Sequence, residues 1–118
     1  MFWYEEDIKG LELMKETIVE QPKLIFYGSS SIRMWRDMSK DFGTYHPINL
    51  GFGGSTMAAC VWYFDRVMIG LQPKGMVIYA GDNDLDDGRH PEEVFIYFKQ
   101  LIACIRQHYG NISIAYIS

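Results

Sequence analysis

Leu24-Ile25-Phe26-Tyr27-Gly28-Ser29-Ser30-Ser31-Ile32 begins with four apolar residues, breaks at a glycine and passes through a serine cluster. A short, continuous apolar run reads as a strand buried on both faces. A serine cluster is the kind of segment that starts a helix. The same grammar recurs along the chain. His46 to Leu50 is a second short strand, closed by Gly51-Phe52-Gly53-Gly54, and Met57 to Ile69 then carries Cys60, Val61, Phe64, Val67 and Met68 on one helical face. Met76-Val77-Ile78-Tyr79-Ala80 is the clearest strand and ends at Gly81; Ile112 to Ile117 is the last. Pro91 suits the first turn of a helix that points Val94, Phe95, Phe98, Leu101, Ile102 and Ile105 inward. Upstream, Glu5 to Glu20 spaces Ile8, Leu11, Met14 and Ile18 as one amphipathic helix, stopped by Pro22. Ile32 to Lys40 predicts a short helix with Trp35 and Met38 inward. Strands apolar on both faces, alternating with helices, give an α/β fold: a three-layer α/β/α sandwich around a parallel sheet.

No repeat, low-complexity tract or linker divides the 118 residues, so 1–118 reads as one domain. Nearly half the residues are apolar and the aromatic share is high, which excludes a disordered chain. The net charge of −4 and the scattered Lys and Arg give no reason to expect nucleic acid or an anionic membrane as partner. The acidic N-terminus does not resemble a signal peptide, and no apolar stretch has the length of a membrane span. A soluble protein is the expectation, cytoplasmic by default, although a mature secreted chain would look the same. Cys60 and Cys104 each sit in an apolar helical pattern, which favours two free thiols over a disulfide. In a flavodoxin-like strand order Ile112–Ile117 would be an open apolar edge, a place where self-association is expected. The sequence looks cut short after this fourth strand.

In open parallel sheets the site lies at the carboxyl ends of the strands. Three small or polar clusters converge there: Gly28 to Ser31, Gly51 to Ser55, and Gly81-Asp82-Asn83-Asp84. Ser30 stands between a buried strand and a helix, where a hydroxyl can project from the sheet edge. Gly54 lets a backbone N–H approach a substrate oxygen without a Cβ in the way. Asn83 can donate a side-chain hydrogen bond to an oxyanion. Each also has an ordinary structural role, as helix cap, turn glycine and turn former. Ser29 and Asp82 flank these positions and are the substrate-binding candidates. Asp82, Asp84, Asp86 and Glu93 match four positions of an EF-hand-like loop, but Asp87 stands where that loop needs glycine. A flavin held by the serine loop is a fold-level analogy, and no nucleotide-binding motif supports it.

The three blocks in this order resemble the SGNH (GDSL-like) hydrolase family, through Phe26-Tyr27-Gly28-Ser29-Ser30-Ser31-Ile32, Asn49-Leu50-Gly51-Phe52-Gly53-Gly54 and Gly81-Asp82-Asn83-Asp84. The resemblance implies Ser30 as nucleophile, with the backbone N–H groups of Ser30 and Gly54 and the Asn83 amide as oxyanion donors. It implies hydrolysis of small acyl esters through an acyl-serine, with no metal or organic cofactor. Two features depart from the family. Ser29 replaces an acidic residue often found before the serine, and the family's Asp-x-x-His block has no counterpart near the C-terminus. Of the three histidines, His46 precedes a strand and His108 closes a helix, leaving His90 as the one stand-in base near Ser30. The competing expectation is a non-catalytic, truncated or degenerate module that binds without turnover.

Overall fold

Four of the apolar runs assemble into one parallel sheet. In the computed structural model, residues 4–35, 37–53, 56–80 and 88–117 are described, apart from the side chains of Ser30, Ser31 and Ser39. The strands are β1 (Leu24–Gly28), β2 (Pro47–Gly51), β3 (Gly75–Tyr79) and β4 (Ser113–Ile117), in the spatial order β2-β1-β3-β4. All three ladders are parallel, and Gly28 lies level with Gly51 on one side and Tyr79 on the other. The carboxyl ends of β1, β2 and β3 therefore finish on one line, and β1 lies at the point where the strand order reverses.

The helices are α1 (Glu5–Glu16), α2 (Ser30–Arg33), α3 (Met38–Asp41), α4 (Met57–Met68) and α5 (Pro91–Tyr109). The alternation along each strand sorts the sheet into two faces. Ile25, Tyr27, Ile48, Leu50, Met76 and Ile78 join the larger core beneath α1, α4 and α5. On the opposite face, Phe26 packs with Ile32 and Met38, and Trp35 and Phe42 close over it at ring separations of 5.3 and 5.1 Å. Burying one such apolar side chain stabilises by about 1.5–3 kcal/mol. The layers are uneven: α2 and α3 cover β1 and β2, while Ala115 and Ile117 of β4 are exposed.

Polar ties join the helices. Arg66 of α4 reaches α1, with Nη1 2.7 Å from Glu5 and Nη2 2.8 Å from Glu12. Arg66 holds both carboxyls below the usual glutamate range, chiefly by hydrogen bonding. Thr56 caps α4, its hydroxyl accepting the Ala59 N–H at 3.0 Å. Among the described residues, no helix is long and apolar enough to cross a membrane.

Three local expectations need correction. Helix α1 ends at Glu16, not Glu20, because the Thr17 hydroxyl and N–H both bond back to the Met14 carbonyl, and the following Ile18-Val19 pair is β-branched. The single helix expected over Ile32 to Lys40 is two short ones, α2 and α3. Trp35 leaves the helical path to pack on Phe26, and its indole donates to Asp41 Oδ2 at 2.9 Å. On α5, Phe95 is exposed and Tyr97 packs against the core instead, because the buried line runs through Leu101 and Ile105. Cys60 and Cys104 are free, the first buried and the second half-buried.

Candidate active site

Gly28 makes the junction from which the candidate site is built. Its φ of +134° turns the chain sharply out of β1, and a Cβ there would collide with the Tyr79 carbonyl oxygen. Only glycine fits that conformation and that close approach. The next residue, Ser29, is buried, and its N–H donates to the same Tyr79 carbonyl at 2.8 Å, prolonging the β1–β3 ladder by one bond. The Ser29 carbonyl in turn accepts the N–H groups of Ile32 and Arg33, each at 3.1 Å. Ser30 is thus the first residue of α2, directly beyond the end of the central strand.

The second block is held from below and from the side. Phe52 N–H donates to the Gly28 carbonyl at 2.9 Å, carrying the β1–β2 ladder past Gly51. The Phe52 ring is buried edge-on to Tyr4 at 5.4 Å and Tyr63 at 6.4 Å, and it anchors the glycine-rich turn in the larger core. Gly51 lies so close to α2 that a Cβ would strike the Arg33 backbone nitrogen. A Cβ on Gly53 would come within 2.6 Å of Arg33 Nη1, whose guanidinium also lies 3.8 Å from Asp7. That contact is half-exposed and contributes little. A groove of about 370 Å³ opens beside it, bordered by Asp7, Leu11, Arg33, Asn49 and Phe52. A groove of similar size lined by Thr17, Glu20 and His46 lies at the amino edge of the sheet, away from Ser30.

The third block leaves β3 through Ala80, whose carbonyl accepts the Tyr116 hydroxyl at 2.6 Å. Gly54, Asp82 and Asn83 lie outside the described residues, as do Asp84 and Asp86 of the acidic run. Glu93 of that run belongs to α5, where its carboxylate accepts the His90 N–H at 3.4 Å.

The three histidines separate by edge. His46 precedes β2 and faces Glu20 at 3.6 Å, while His108, near the end of α5, is 3.2 Å from Asp65. Both therefore sit toward the amino edge. His90 caps the start of α5, and the crossover from β3 places that end toward the carboxyl edge. It closes the segment Asp87-Gly88-Arg89-His90, which has Asp-x-x-His spacing but stands between β3 and α5, with Asp87 outside the described residues.

Two contributors escaped sequence reasoning. Phe52 was legible only as a large aromatic between glycines. Asn49 was one letter of a motif, although a polar residue inside an apolar strand signals a side chain that must find partners.

No protein-family model matches the chain, and no curated protein matches it significantly. Solved structures match it by shape. A protein of Streptococcus pneumonia, provisionally described as a platelet activating factor, superposes with a TM-score of 0.83 at 16% identity, over 95% of this chain and 52% of its own. AlinE4, an SGNH-hydrolase family esterase, gives a TM-score of 0.69 at 19% identity, over 85% of this chain and 60% of its own. A provisionally assigned acylhydrolase of Bacteroides fragilis gives 0.71 at 22%, over 87% and 53%. The chain thus shares the α/β fold of SGNH-type esterases and acylhydrolases, and spans between 52% and 60% of the length of these structures.

Proposed function

We propose that this SGNH-like fold supports serine-dependent hydrolysis of a small carboxylic ester, with Ser30 as the nucleophile. The observation that carries the proposal is the position of Ser30: it opens α2 at the end of β1, in line with the ends of β2 and β3, on a fold shared with esterases. Ser30 Oγ attacks the ester carbonyl carbon while a base takes its proton. The resulting oxyanion is held by the Ser30 and Gly54 N–H groups and by the Asn83 amide. The carbon–oxygen bond to the alcohol then breaks, and the alcohol leaves with the proton. Water attacks the acyl-serine, the acid departs, and Ser30 regains its proton. Ser29 and Asp82 flank the substrate. Neighbouring amides are already committed: those of Ser29, Gly51 and Phe52 bond to Tyr79, Asn49 and Gly28.

The base decides how much turnover follows. His90 is the histidine nearest the carboxyl edge, and general-base assistance is worth about 10²–10⁴ in rate. A second reading is a module of the same fold that binds esters without turnover.

Intact-mass spectrometry after exposure to a fluorophosphonate tests both readings, using the chain alongside Ser30→Ala and His90→Ala. One adduct, lost in Ser30→Ala, supports an activated serine, and slower labelling of His90→Ala assigns the base. An adduct that persists in Ser30→Ala overturns the assignment of Ser30. No adduct on any chain favours the binding module.

A further inference from the structure

The geometry points to Asn49 as a positioning residue that fixes α2, and Ser30 with it, against the segment Gly51–Gly53; its catalytic meaning rests on the function proposed above. Within β2, Ile48 and Leu50 face the larger core, so Asn49 and Gly51 share the opposite face, beneath α2. Both ends of the Asn49 amide are engaged. Nδ2 donates to the Ile32 carbonyl of α2 at 2.6 Å, and Oδ1 accepts the N–H of Gly51 at 2.9 Å. One side chain therefore bonds both to the helix that Ser30 opens and to the end of β2, three residues before the proposed second oxyanion donor.

Neither partner is held by its own element alone, although the Ser29 carbonyl and the buried Ile32 side chain also tie α2 down. Helix α2 has four residues, far short of the length at which a helix holds itself together. Strand β2 is an edge of the sheet, and an outward-facing amide there has only a side chain or water to bond. Gly51 completes the arrangement sterically. A Cβ would meet the Arg33 Cα and Ile32 Cγ2, both at 2.9 Å, so α2 rests directly on the glycine. No other side chain of this size both donates and accepts through one planar amide. The substitution Asn49→Asp would keep the bond to Gly51 and lose the bond to Ile32, whereas Asn49→Ala would lose both. If Ser30 and Gly54 act on one substrate oxygen, a shift of about 1 Å between their amides costs about 10²-fold in rate.

The test compares the wild-type chain with Asn49→Asp and Asn49→Ala by residue-resolved amide hydrogen exchange and by the rate of fluorophosphonate labelling at Ser30. Exchange reports the tether whether or not the serine reacts. Amides of Ile32 and Arg33 should exchange about 10- to 100-fold faster in both variants, as loss of one such bond implies. Gly51 should lose protection only in Asn49→Ala, and Ile25 to Tyr27 should be unchanged in both, which separates a local release from general destabilisation. Where wild type is labelled, both variants should react about 10- to 100-fold more slowly, with Asn49→Asp impaired although its Gly51 amide stays protected. Unchanged protection of Ile32 and Arg33, or unchanged labelling of Ser30 in both variants, overturns the role of Asn49. A wild-type chain that takes no label counts against the esterase reading alone, and exchange at Ile32 and Arg33 then decides the positioning role.

Discussion

Gly28→Ala puts a methyl group where the β1–α2 junction has no space for one. Two costs add. The backbone at φ +134° lies outside the regions open to residues with a Cβ, and holding alanine there costs about 1–3 kcal/mol. The Cβ also overlaps the Tyr79 carbonyl oxygen, so the ends of β1 and β3 must part. That breaks the 2.8 Å bond from Ser29 N–H and leaves a buried donor unpaired, for roughly 1–3 kcal/mol. The sum, about 2–6 kcal/mol, is a large part of a typical domain stability of about 5–15 kcal/mol. Gly10→Ala supplies the contrast. Gly10 is exposed on α1 with nothing within 4 Å of an added Cβ, so alanine should gain about 0.5–1 kcal/mol from helix propensity. Urea unfolding followed by circular dichroism measures both. At a slope of about 1–2 kcal/mol per molar, Gly28→Ala should lower the midpoint by about 1 M or more while Gly10→Ala raises it. A Gly28→Ala chain within about 1 kcal/mol of wild type would refute the reasoning.

Three further outcomes follow from the same contacts. Glu5 and Glu12 titrate below their usual value of 4.5 because they bond to Arg66, so their contribution is complete above that pH and disappears as pH falls through the lowered values. The Tm advantage of wild type over Arg66→Met should therefore shrink on acidification, and an advantage independent of pH would count against the ion-pair account. Tyr27→Phe removes a buried 2.7 Å bond from the hydroxyl to the Cys60 carbonyl and should cost about 0.5–1.5 kcal/mol near neutrality. Burial raises the Tyr27 pKa well above 10.0, so its contribution is complete below 10.0 and is lost as pH rises from there through the raised value, and the variant should lack this part of the alkaline fall; identical alkaline profiles would argue otherwise. Finally, β4 is the outer strand of the sheet among the described residues, and its edge should promote association that grows with concentration, which Ile117→Lys should suppress. Sedimentation showing one monomeric species for both chains at high concentration would dispose of that expectation.

The central strands were readable from sequence because their signal is local. Leu24 to Tyr27 and Met76 to Ala80 are unbroken apolar runs bounded by glycine, and each forms its strand to within a residue or so. The placement of Ser30 and Gly51 was legible for the same reason, since each lies within two residues of the end of its strand. What remained hidden depends on partners distant in sequence. The break between α2 and α3 follows from Trp35 turning onto Phe26, and the role of Asn49 depends on a carbonyl in another element. Phe95 looked inward because an apolar residue at helical spacing says nothing of how far a covering layer extends. The corner of the site expected from Gly54, Asp82 and Asn83 lies outside the described residues.

The central position of β1 has a kinetic consequence. Leu24 pairs with Pro47 on one side and Gly75 on the other, so neither neighbour of β1 is reached through a hairpin. Each ladder waits for a whole crossover to close, and chain-closure entropy is lost before any inter-strand bond forms. Until then Leu24-Ile25-Phe26-Tyr27 is an unpaired apolar segment of high strand propensity, the kind that seeks other chains. The residues that align three strand ends in the folded molecule are therefore the ones most exposed to aggregation while it folds. Refolding yield should fall with protein concentration well before native solubility does.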